Sequence, residues 1–196
     1  MEYILFQTRL NPNQGDKDKD GIGDKCDTEL TPILHIAGTK RFEGSDYLLI
    51  NGSESFDQNV YTIAFWFKAY DPSTGTQSLV ARGEDWANDK AQWIIELNDR
   101  ENRGKIQLWY EETDDSDHYF PASTIIQPFT LYSVKVTRDL SGKVKVYING
   151  KLEYEKKEEG EPAKVSTPVL IEARRNAPDK VQDYFKGLMK NIRIYN

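Results

Sequence analysis

The sequence predicts an all-β protein in which two antiparallel sheets pack face to face, and three observations support this prediction. Apolar residues alternate with polar or smaller ones in stretches such as "NVYTIAFWFKAY", where Tyr61, Ile63, Phe65 and Phe67 would share one face of a strand. Turn-forming residues recur at the spacing of a sandwich and divide residues 32–196 into about twelve strands. Gly, Pro, Asn or Asp interrupts each window before an amphipathic helix of about three turns could form.

The predicted strands follow one another along the chain and end with the segments "LYSVKVTRDLSGKVKVYINGKLEYEKKE", "TPVLIEAR" and "FKGLMKNIRIYN". The first of these contains two hairpins, which turn at "DLSGK" and at Asn149-Gly150. Asn-Gly favours a two-residue hairpin because both residues tolerate positive φ. Gly187 is expected at a bulge or at a close approach of two backbones.

The organisation along the chain changes near Pro32. Residues 1–31 read as a non-globular N-terminal segment, and residues 32–196 read as a single β domain. The chain has a formal net charge of -6, and its Lys and Arg residues are scattered in the sequence with no basic stripe. This argues against nucleic acid as a partner, because phosphates require a basic face. An acidic surface favours divalent cations instead.

Cys26 is the only cysteine, so an internal disulfide is impossible. No apolar run approaches the roughly 20 residues that span a bilayer, so no membrane insertion is expected. The N-terminus "MEYILFQTRL" lacks the pattern of a signal peptide. The protein is therefore either cytosolic or a piece of a longer chain.

The stretch "GDKDKDGIGDKCD" has the spacing of a loop that wraps calcium. Counting Asp16 as the first position, side-chain oxygens fall at alternate positions, glycine at the sixth and a backbone carbonyl at the seventh. The candidate metal ligands are Asp16, Asp18, Asp20, Ile22, Asp24 and Asp27. Pro12, Gly15 and Pro32 leave no room for the flanking helices of an EF-hand. The alternative is a flexible acidic linker without a metal.

Residues 11–27, "NPNQGDKDKDGIGDKCD", resemble a thrombospondin type 3 repeat. The resemblance implies a calcium-bound, extracellular segment almost free of regular secondary structure. It implies side-chain ligands at Asp16, Asp18, Asp20 and Asp27, a carbonyl ligand at Ile22, and Asp24 bound directly or through water. Such repeats usually carry neighbouring cysteines, and the stretch before Asn11 has none. Either upstream repeats are missing from this chain or this is a degenerate terminal copy.

Most of residues 32–196 resembles a laminin G-like, or concanavalin A-like, jelly-roll domain. Four marks carry the resemblance and stand in order: "RFEGSDYLLI", "YTIAFWFKA", the "YING" hairpin and "YFKGLMKNIRIYN". The resemblance implies a two-sheet antiparallel jelly-roll sandwich, and it implies that "DYLLI" lies beside "IRIYN". It also implies recognition of carbohydrate or protein, although the fold alone does not identify the ligand.

Four aromatic residues are candidates for ligand binding: Trp86, in a polar loop, and Trp109, Tyr110 and Tyr119, which could stack on a sugar. The alternative for the last three is packing within a sheet. Trp66 is expected in the core or on the floor of a groove. A second cation is a further hypothesis, with solvated loop residues as its alternative, and its candidate ligands are Asp46, Asp99, Asp114, Asp115 and Asp117.

The sequence favours no catalytic site. Related jelly rolls that hydrolyse glycans use acids alternating on one strand. "IIELND" has no second acid beside Glu96, and Glu111 and Glu112 would point to opposite faces. His118 is expected to face solvent in an acidic loop, and His35 to pack within a strand. The protein is therefore predicted not to be an enzyme.

These observations predict an extracellular or cell-surface module for recognition or adhesion, with Ca²⁺ as its cofactor and a glycan or a protein as its partner. It would be secreted or surface-bound as part of a longer precursor. The alternative is a structural spacer, or a self-assembling subunit of a surface layer or filament. A polysaccharide-active enzyme is the weakest hypothesis.

Overall fold

The structure is a computed structural model that describes residues 32–51, 54–86, 89–98, 102–112, 116–177 and 180–196. The six predicted calcium ligands therefore lie outside the described residues. The boundary predicted after residue 31 stays a prediction. The described part of the chain is built of β-strands and a single 3-10 turn at Glu54–Phe56, so the predicted all-β class is confirmed.

Fourteen strands of the described residues form two sheets. The six-stranded sheet has the order β1 (Leu34–Glu43), β14 (Lys186–Tyr195), β3 (Tyr61–Ala69), β8 (Tyr132–Arg138), β9 (Lys143–Ile148) and β10 (Lys151–Lys157). The eight-stranded sheet has the order β13 (Lys180–Gln182), β12 (Arg174–Ala177), β4 (Gln77–Trp86), β5 (Asp89–Leu97), β6 (Ile106–Glu111) and β7 (Asp117–Pro121), with β11 (Val169–Ile171) pairing with β4 and with β2 (Leu48–Ile50). All neighbours are antiparallel except β12 and β4, which are parallel.

Strand β3 has the alternation that its sequence predicts. Its inward side chains, from Tyr61 to Ala69, are buried in the main core, whereas the intervening ones are at least partly exposed. Strands β8 and β9 repeat this pattern, with valines facing inward. The core therefore lies between the sheets, and the outer face of the six-stranded sheet is open to solvent.

The centre of the eight-stranded sheet is buried on both of its faces. All described side chains of β5 are buried, as are those of β6 from Ile106 to Tyr110. On the outer face, Gln107 donates to Glu96 over 2.8 Å and accepts from Asn102 over 2.8 Å. These hydrogen bonds satisfy polar groups that burial would otherwise penalise.

The predicted hairpin at Asn149-Gly150 is confirmed. Asn149 has φ 51° and Gly150 has φ 76°, and positive φ at both positions is the geometry of a type I′ turn. The "DLSGK" turn is also present, with the Asp139 carboxylate accepting hydrogen bonds from Ser141 and from the Lys143 backbone.

The predicted neighbour of the last strand is wrong. Strand β14 pairs with β1, where Leu34 lies opposite Ile194 and Phe42 opposite Gly187. Residues Leu48–Ile50 of "DYLLI" instead pair with β11 in the other sheet. The turn between β1 and β2 explains the difference: Gly44 has φ 89°, and the Asp46 carboxylate accepts from the Glu43 amide over 2.8 Å. This turn carries the chain from one sheet to the other.

Two buried arginines attach loops to the sandwich. The Arg82 guanidinium contacts Asp57 at 2.6 Å and donates to the Val165 carbonyl over 2.7 Å. Arg138 donates to the Asn59 carbonyl over 2.7 Å and to the Gly160 carbonyl over 2.6 Å. Because a buried guanidinium needs several acceptors, each arginine ties one strand to two loops.

Gly187 lies at the predicted close approach of two backbones. A Cβ atom at this position would lie 2.3 Å from the Lys68 carbonyl oxygen and 2.5 Å from the Phe185 ring. We therefore expect Gly187→Ala to lower the free energy of unfolding by about 1–3 kcal/mol, the usual cost of overpacking. Urea denaturation would measure the change. Lys190→Ala, on the same strand but exposed, is the control and should change stability by less than about 0.5 kcal/mol; an equal effect of both variants would contradict the prediction.

Candidate functional site

The outer face of the eight-stranded sheet carries a row of apolar side chains. The register places Ala81 opposite Ile94, Ile94 opposite Trp109, and Trp109 opposite Tyr119, so that the row crosses β4, β5, β6 and β7. Ala81, Ile94 and Trp109 belong to a small hydrophobic cluster that is separate from the main core. The row ends at the edge strand β7, where its last side chain meets solvent.

Tyr119 and Trp109 form a partly exposed aromatic stack at that edge. Their ring centroids are 6.1 Å apart and their planes are inclined by 26°. Trp109 is only 5% exposed, whereas Tyr119 is 47% exposed. The buried indole therefore supports the tyrosine ring and restricts its motion, which leaves one rigid aromatic surface open to a ligand.

Polar groups surround this stack. The Tyr119 hydroxyl donates to the Asp117 carboxylate over 3.1 Å. The Arg174 guanidinium lies 5.9 Å from the centroid of the Trp109 ring and donates to Asp183 over 2.5 Å. An aromatic surface with a few polar groups beside it has the general character of a small-molecule binding site, in which the polar groups provide specificity. We refer to Trp109, Asp117, Tyr119 and Arg174 as the aromatic site.

Of the four aromatic residues predicted to bind ligand, the structure brings Trp109 and Tyr119 together. It places Tyr110 elsewhere, because neighbours on a strand point to opposite faces. Tyr110 is buried between the sheets, and its ring stacks on His118 and Phe120. Trp86 lies on β4 opposite Asp89 and not in a loop, and its side chain is outside the described part of the structure.

Of the five aspartates predicted as ligands of a second cation, the structure describes Asp46 and Asp117. Asp99, Asp114 and Asp115 lie outside the described residues. Asp46 accepts a hydrogen bond from the Glu43 amide, and Asp117 accepts one from Tyr119. Within the described ranges, no three His, Cys, Asp or Glu side chains form a group that could hold a metal ion. The second cation site stays a prediction.

The acids considered for catalysis are engaged in hydrogen bonds. Glu96 accepts from Gln107, and Glu111 accepts from the Ala91 amide over 2.7 Å. The expectation for His118 is wrong: it lies on β7 and is mostly buried, with its Nε2 atom 2.7 Å from Glu112 and its Nδ1 atom 3.4 Å from Glu158. His35 is exposed on β1 rather than packed. These contacts connect strands to loops.

Sequence reasoning misplaced Trp66 and did not identify Arg174 or Glu172. Trp66 is 42% exposed on the outer face of the six-stranded sheet, not in the core. Strict alternation with the inward Phe65 and Phe67 predicts an outward Trp66. The apolar run of these three residues instead suggests a strand that is covered on both faces, and this led to the wrong expectation. Arg174 contacts Trp109 across two separate strands, so no local pattern indicates it.

Glu172 is a buried carboxyl group in a strained backbone conformation. It is 0% exposed and has φ 75°, a left-handed conformation that is costly for residues other than glycine. Neither carboxyl oxygen has a hydrogen-bond partner within the described ranges. Burial, followed by the negative charge of Asp46, raises the pKa of this carboxyl to about 11. The folded protein therefore holds a proton on Glu172 at neutral pH.

Glu172 should make the stability of the protein fall as pH rises. The unfolded chain releases this proton near pH 4.3, whereas the folded chain keeps it up to about pH 11. The stabilisation is complete below the unfolded pKa and is lost as pH rises towards the folded pKa, with a one-proton limit of about 1.4 kcal/mol per pH unit. We expect the free energy of unfolding, measured by urea denaturation between about pH 5 and pH 9, to fall more steeply with pH in the wild type than in Glu172→Gln. A difference between the two proteins that stays constant with pH would contradict this.

Among the residues that the structure describes, there is no helix with the length and hydropathy needed to cross a bilayer. No curated protein matches the chain in sequence. The fold is similar to that of the CBM40 of the Ruminococcus gnavus IT-sialidase bound to α2,3-sialyllactose, with a TM-score of 0.65, 14% identity, and coverage of 84% of this chain and 92% of that chain.

Two further structures have the same fold. Domain 4 of AbnA, an extracellular GH43 arabinanase from Geobacillus stearothermophilus, in complex with arabinotriose, has a TM-score of 0.59 and 18% identity, and the match covers 83% of this chain and 74% of that chain. The receptor-binding domain of botulinum neurotoxin type G has a TM-score of 0.53 and 14% identity, and the match covers 84% of this chain and 47% of that chain. At these identities the likeness shows the fold alone. A family model described as the concanavalin A-like lectin/glucanases superfamily matches residues 42–196, and the chain therefore belongs to this superfamily.

Proposed function

We propose that residues 32–196 form a non-catalytic module that recognises a glycan at the aromatic site. The observation that carries the proposal is the stack of the half-exposed Tyr119 on the buried Trp109, with Arg174 over the same indole. An aromatic ring that is fixed from below is suited to the apolar face of a sugar, because little conformational entropy is lost when the sugar binds.

The fold is consistent with this proposal. Two of the similar structures were solved with oligosaccharides, sialyllactose in one and arabinotriose in the other. These ligands belong to those proteins. For this chain they support only the ligand class, and the identity of the sugar depends on polar groups such as Asp117 and Arg174.

We also propose that the segment "NPNQGDKDKDGIGDKCD" binds Ca²⁺ and stiffens the approach to the module, outside the cell and within a longer precursor. The support is the resemblance to a calcium-binding repeat and the spacing of its aspartates. Without an ion these carboxylates would repel one another, and the segment has little apolar content with which to fold alone.

Replacing the exposed tyrosine tests the aromatic site. Tyr119→Ala removes the open face of the stack, and we expect it to weaken glycan binding about tenfold or more, the usual loss for a central aromatic contact. A glycan array would identify a bound sugar, and titration calorimetry would measure the affinity. The matched control is Tyr47→Ala, which removes another partly exposed aromatic ring that packs against a second ring, Tyr184, and belongs to neither proposed binding surface. An unchanged affinity in Tyr119→Ala, or an equal loss in both variants, would contradict the site.

Calcium titration of the whole chain tests the N-terminal proposal. An ion that binds only the folded segment stabilises it by about 2.7 kcal/mol at 100 times the dissociation constant. We expect a binding isotherm for Ca²⁺ that is lost in the double variant Asp18→Asn/Asp20→Asn. The control is Glu159→Gln/Glu161→Gln, which changes the net charge equally within a loop of the β domain. If the wild type gives neither heat nor a change in its near-ultraviolet spectrum, the calcium proposal is wrong.

A self-assembling structural subunit is the second candidate function. It is favoured by the exposed apolar side chains of Ile125, Phe129 and Leu131, which all belong to the loop between β7 and β8. Exposed apolar patches often mark contacts between proteins. Concentration-dependent association in the absence of glycan binding would favour this candidate, and release of soluble product from a polysaccharide would instead indicate an enzyme.

A further inference from the structure

The outer face of the six-stranded sheet carries a second candidate binding surface. The net charge of the whole chain gives no indication of it. Strand register places side chains on this face in rows that run across the strands. One row contains Thr39, Lys190, Trp66 and Ser133, and the next contains His35, Arg193, Ala64, Lys135 and Tyr147. Trp66 therefore lies near the middle of the sheet, with basic residues in both rows.

This face is basic although the chain is acidic. Its outward positions include two acids, Glu43 and Glu155, against the basic residues Arg41, Lys68, Lys135, Lys143, Lys145, Lys157, Lys190 and Arg193. The chain as a whole has a net charge of -6. In the sequence these residues are separated by inward apolar ones, and folding brings them together because every second residue of a strand faces outward.

Three of these lysines have no ion-pair partner among the residues that the structure describes. Glu43 pairs with Arg41, and Glu155 lies between Lys143 and Lys145. In the described ranges, no carboxylate forms an ion pair with Lys68, Lys135 or Lys190. Lys190 of β14 lies opposite Trp66 of β3. Lys68 lies two residues after Trp66 on β3, and Lys135 of β8 lies opposite Ala64. The Lys135 ammonium lies 4.8 Å from the centroid of the Tyr147 ring on the neighbouring strand. The three ammonium groups therefore give a positive potential to the face that carries the indole.

The indole itself is accessible. Trp66 is 42% exposed, and its neighbours on the sheet include the small side chains of Ala64 and Ser133. Small neighbours leave room beside an aromatic ring for a flat ligand group. We refer to Trp66, Lys68, Lys135 and Lys190 as the basic face.

We propose that the basic face binds an anionic polysaccharide, a chain of sugar rings that carry carboxylate or sulfate groups. The indole would pack on a sugar ring, and the three lysines would bind the anionic groups on either side. In the second row the basic positions Arg193 and Lys135 are separated by the neutral Ala64, which suits a polymer whose charges are separated by sugar rings. This surface is on the opposite sheet from the aromatic site and does not depend on it.

Two other polyanions fit these observations less well. Duplex DNA is rigid and carries one negative charge per about 1.7 Å. A duplex on the basic face would therefore extend over the acidic remainder of the protein and be repelled by it. An anionic bilayer would attract the lysines, but stable insertion requires several apolar side chains, and on this face the large exposed ones within the described residues are Trp66 and Leu152. Both serve as competing ligands in the test.

The test measures binding of the whole chain to polygalacturonate and to dextran sulfate, with neutral dextran for comparison. A chelator is present so that no divalent cation bridges the anions. We expect binding to both charged polymers that falls steeply between about 50 and 500 mM salt, since screening weakens exposed charges. Lys68→Glu/Lys135→Glu/Lys190→Glu should weaken binding about 100-fold, and Trp66→Ala about fivefold or more. Melting curves establish that each variant is folded, and the triple Gln variant replaces the triple Glu variant if the latter is not.

A matched control separates the basic face from net charge. Arg103→Glu/Lys164→Glu/Lys180→Glu changes the total charge equally at exposed positions elsewhere, and it should retain most of the affinity. An equal loss in both triple variants would overturn the proposal, as would the absence of binding to either charged polymer. Tighter binding to a DNA duplex or to vesicles of anionic phospholipid would assign the face to a different partner. Tyr119→Ala should leave polyanion binding unchanged, so failure of the aromatic site and failure of the basic face can be told apart.

Discussion

The constraint on which this structure depends is that successive side chains of a β-strand point to opposite sides of the sheet. In the six-stranded sheet this alternation sends Phe65 and Phe67 into the core and leaves Trp66 between them exposed. In the eight-stranded sheet it sends Tyr110 inward and places Trp109 under Tyr119 on the outside. A single rule thus produces one main core and two outer faces, and it lets the outer faces carry different chemistry.

The two faces also differ in how firmly they are held. Around the aromatic site the sheet is buried on both sides, and hydrogen bonds such as the one between Gln107 and Glu96 are enclosed. The basic face is open, and its lysines contribute little to stability, because exposed charges are well solvated. Changes on the basic face should therefore alter binding without unfolding the protein. The aromatic site is supported by a buried indole, and removal of that indole would reduce both binding and stability. Glu172 is a local exception, since its burial and positive φ both cost stability. Its backbone is held by hydrogen bonds with Leu79 and Phe185, but its carboxyl oxygens have no hydrogen-bond partner among the described residues.

The sequence predicts the all-β class, the two-sheet sandwich and the Asn149-Gly150 hairpin, because each depends on local patterns of two to ten residues. It does not predict the partner of "DYLLI", since the turn at Gly44 decides which sheet the chain joins next. Alternation would have placed Tyr110 inside and Trp66 outside, but the aromatic character of neighbouring residues obscured it. The contact of Arg174 with Trp109 and the placement of Lys68, Lys135 and Lys190 on one face depend on strand register across the sheet. The linear sequence contains no such information. Because its lysines are scattered and its net charge is negative, it gives no indication of a basic face.

The central claim is that alternation creates two separate binding faces, and the tryptophans allow both to be observed in one protein. Fluorine NMR of the chain labelled with fluorotryptophan would follow Trp66 on one face, Trp109 on the other and Trp93 in the core, with single substitutions assigning each resonance. The account predicts that a glycan identified on the array shifts the Trp109 resonance, that polygalacturonate shifts the Trp66 resonance, and that Trp93 responds to neither. If both ligands move the same resonance, or if neither moves Trp66 or Trp109, the two faces are not separate binding surfaces and the account is wrong.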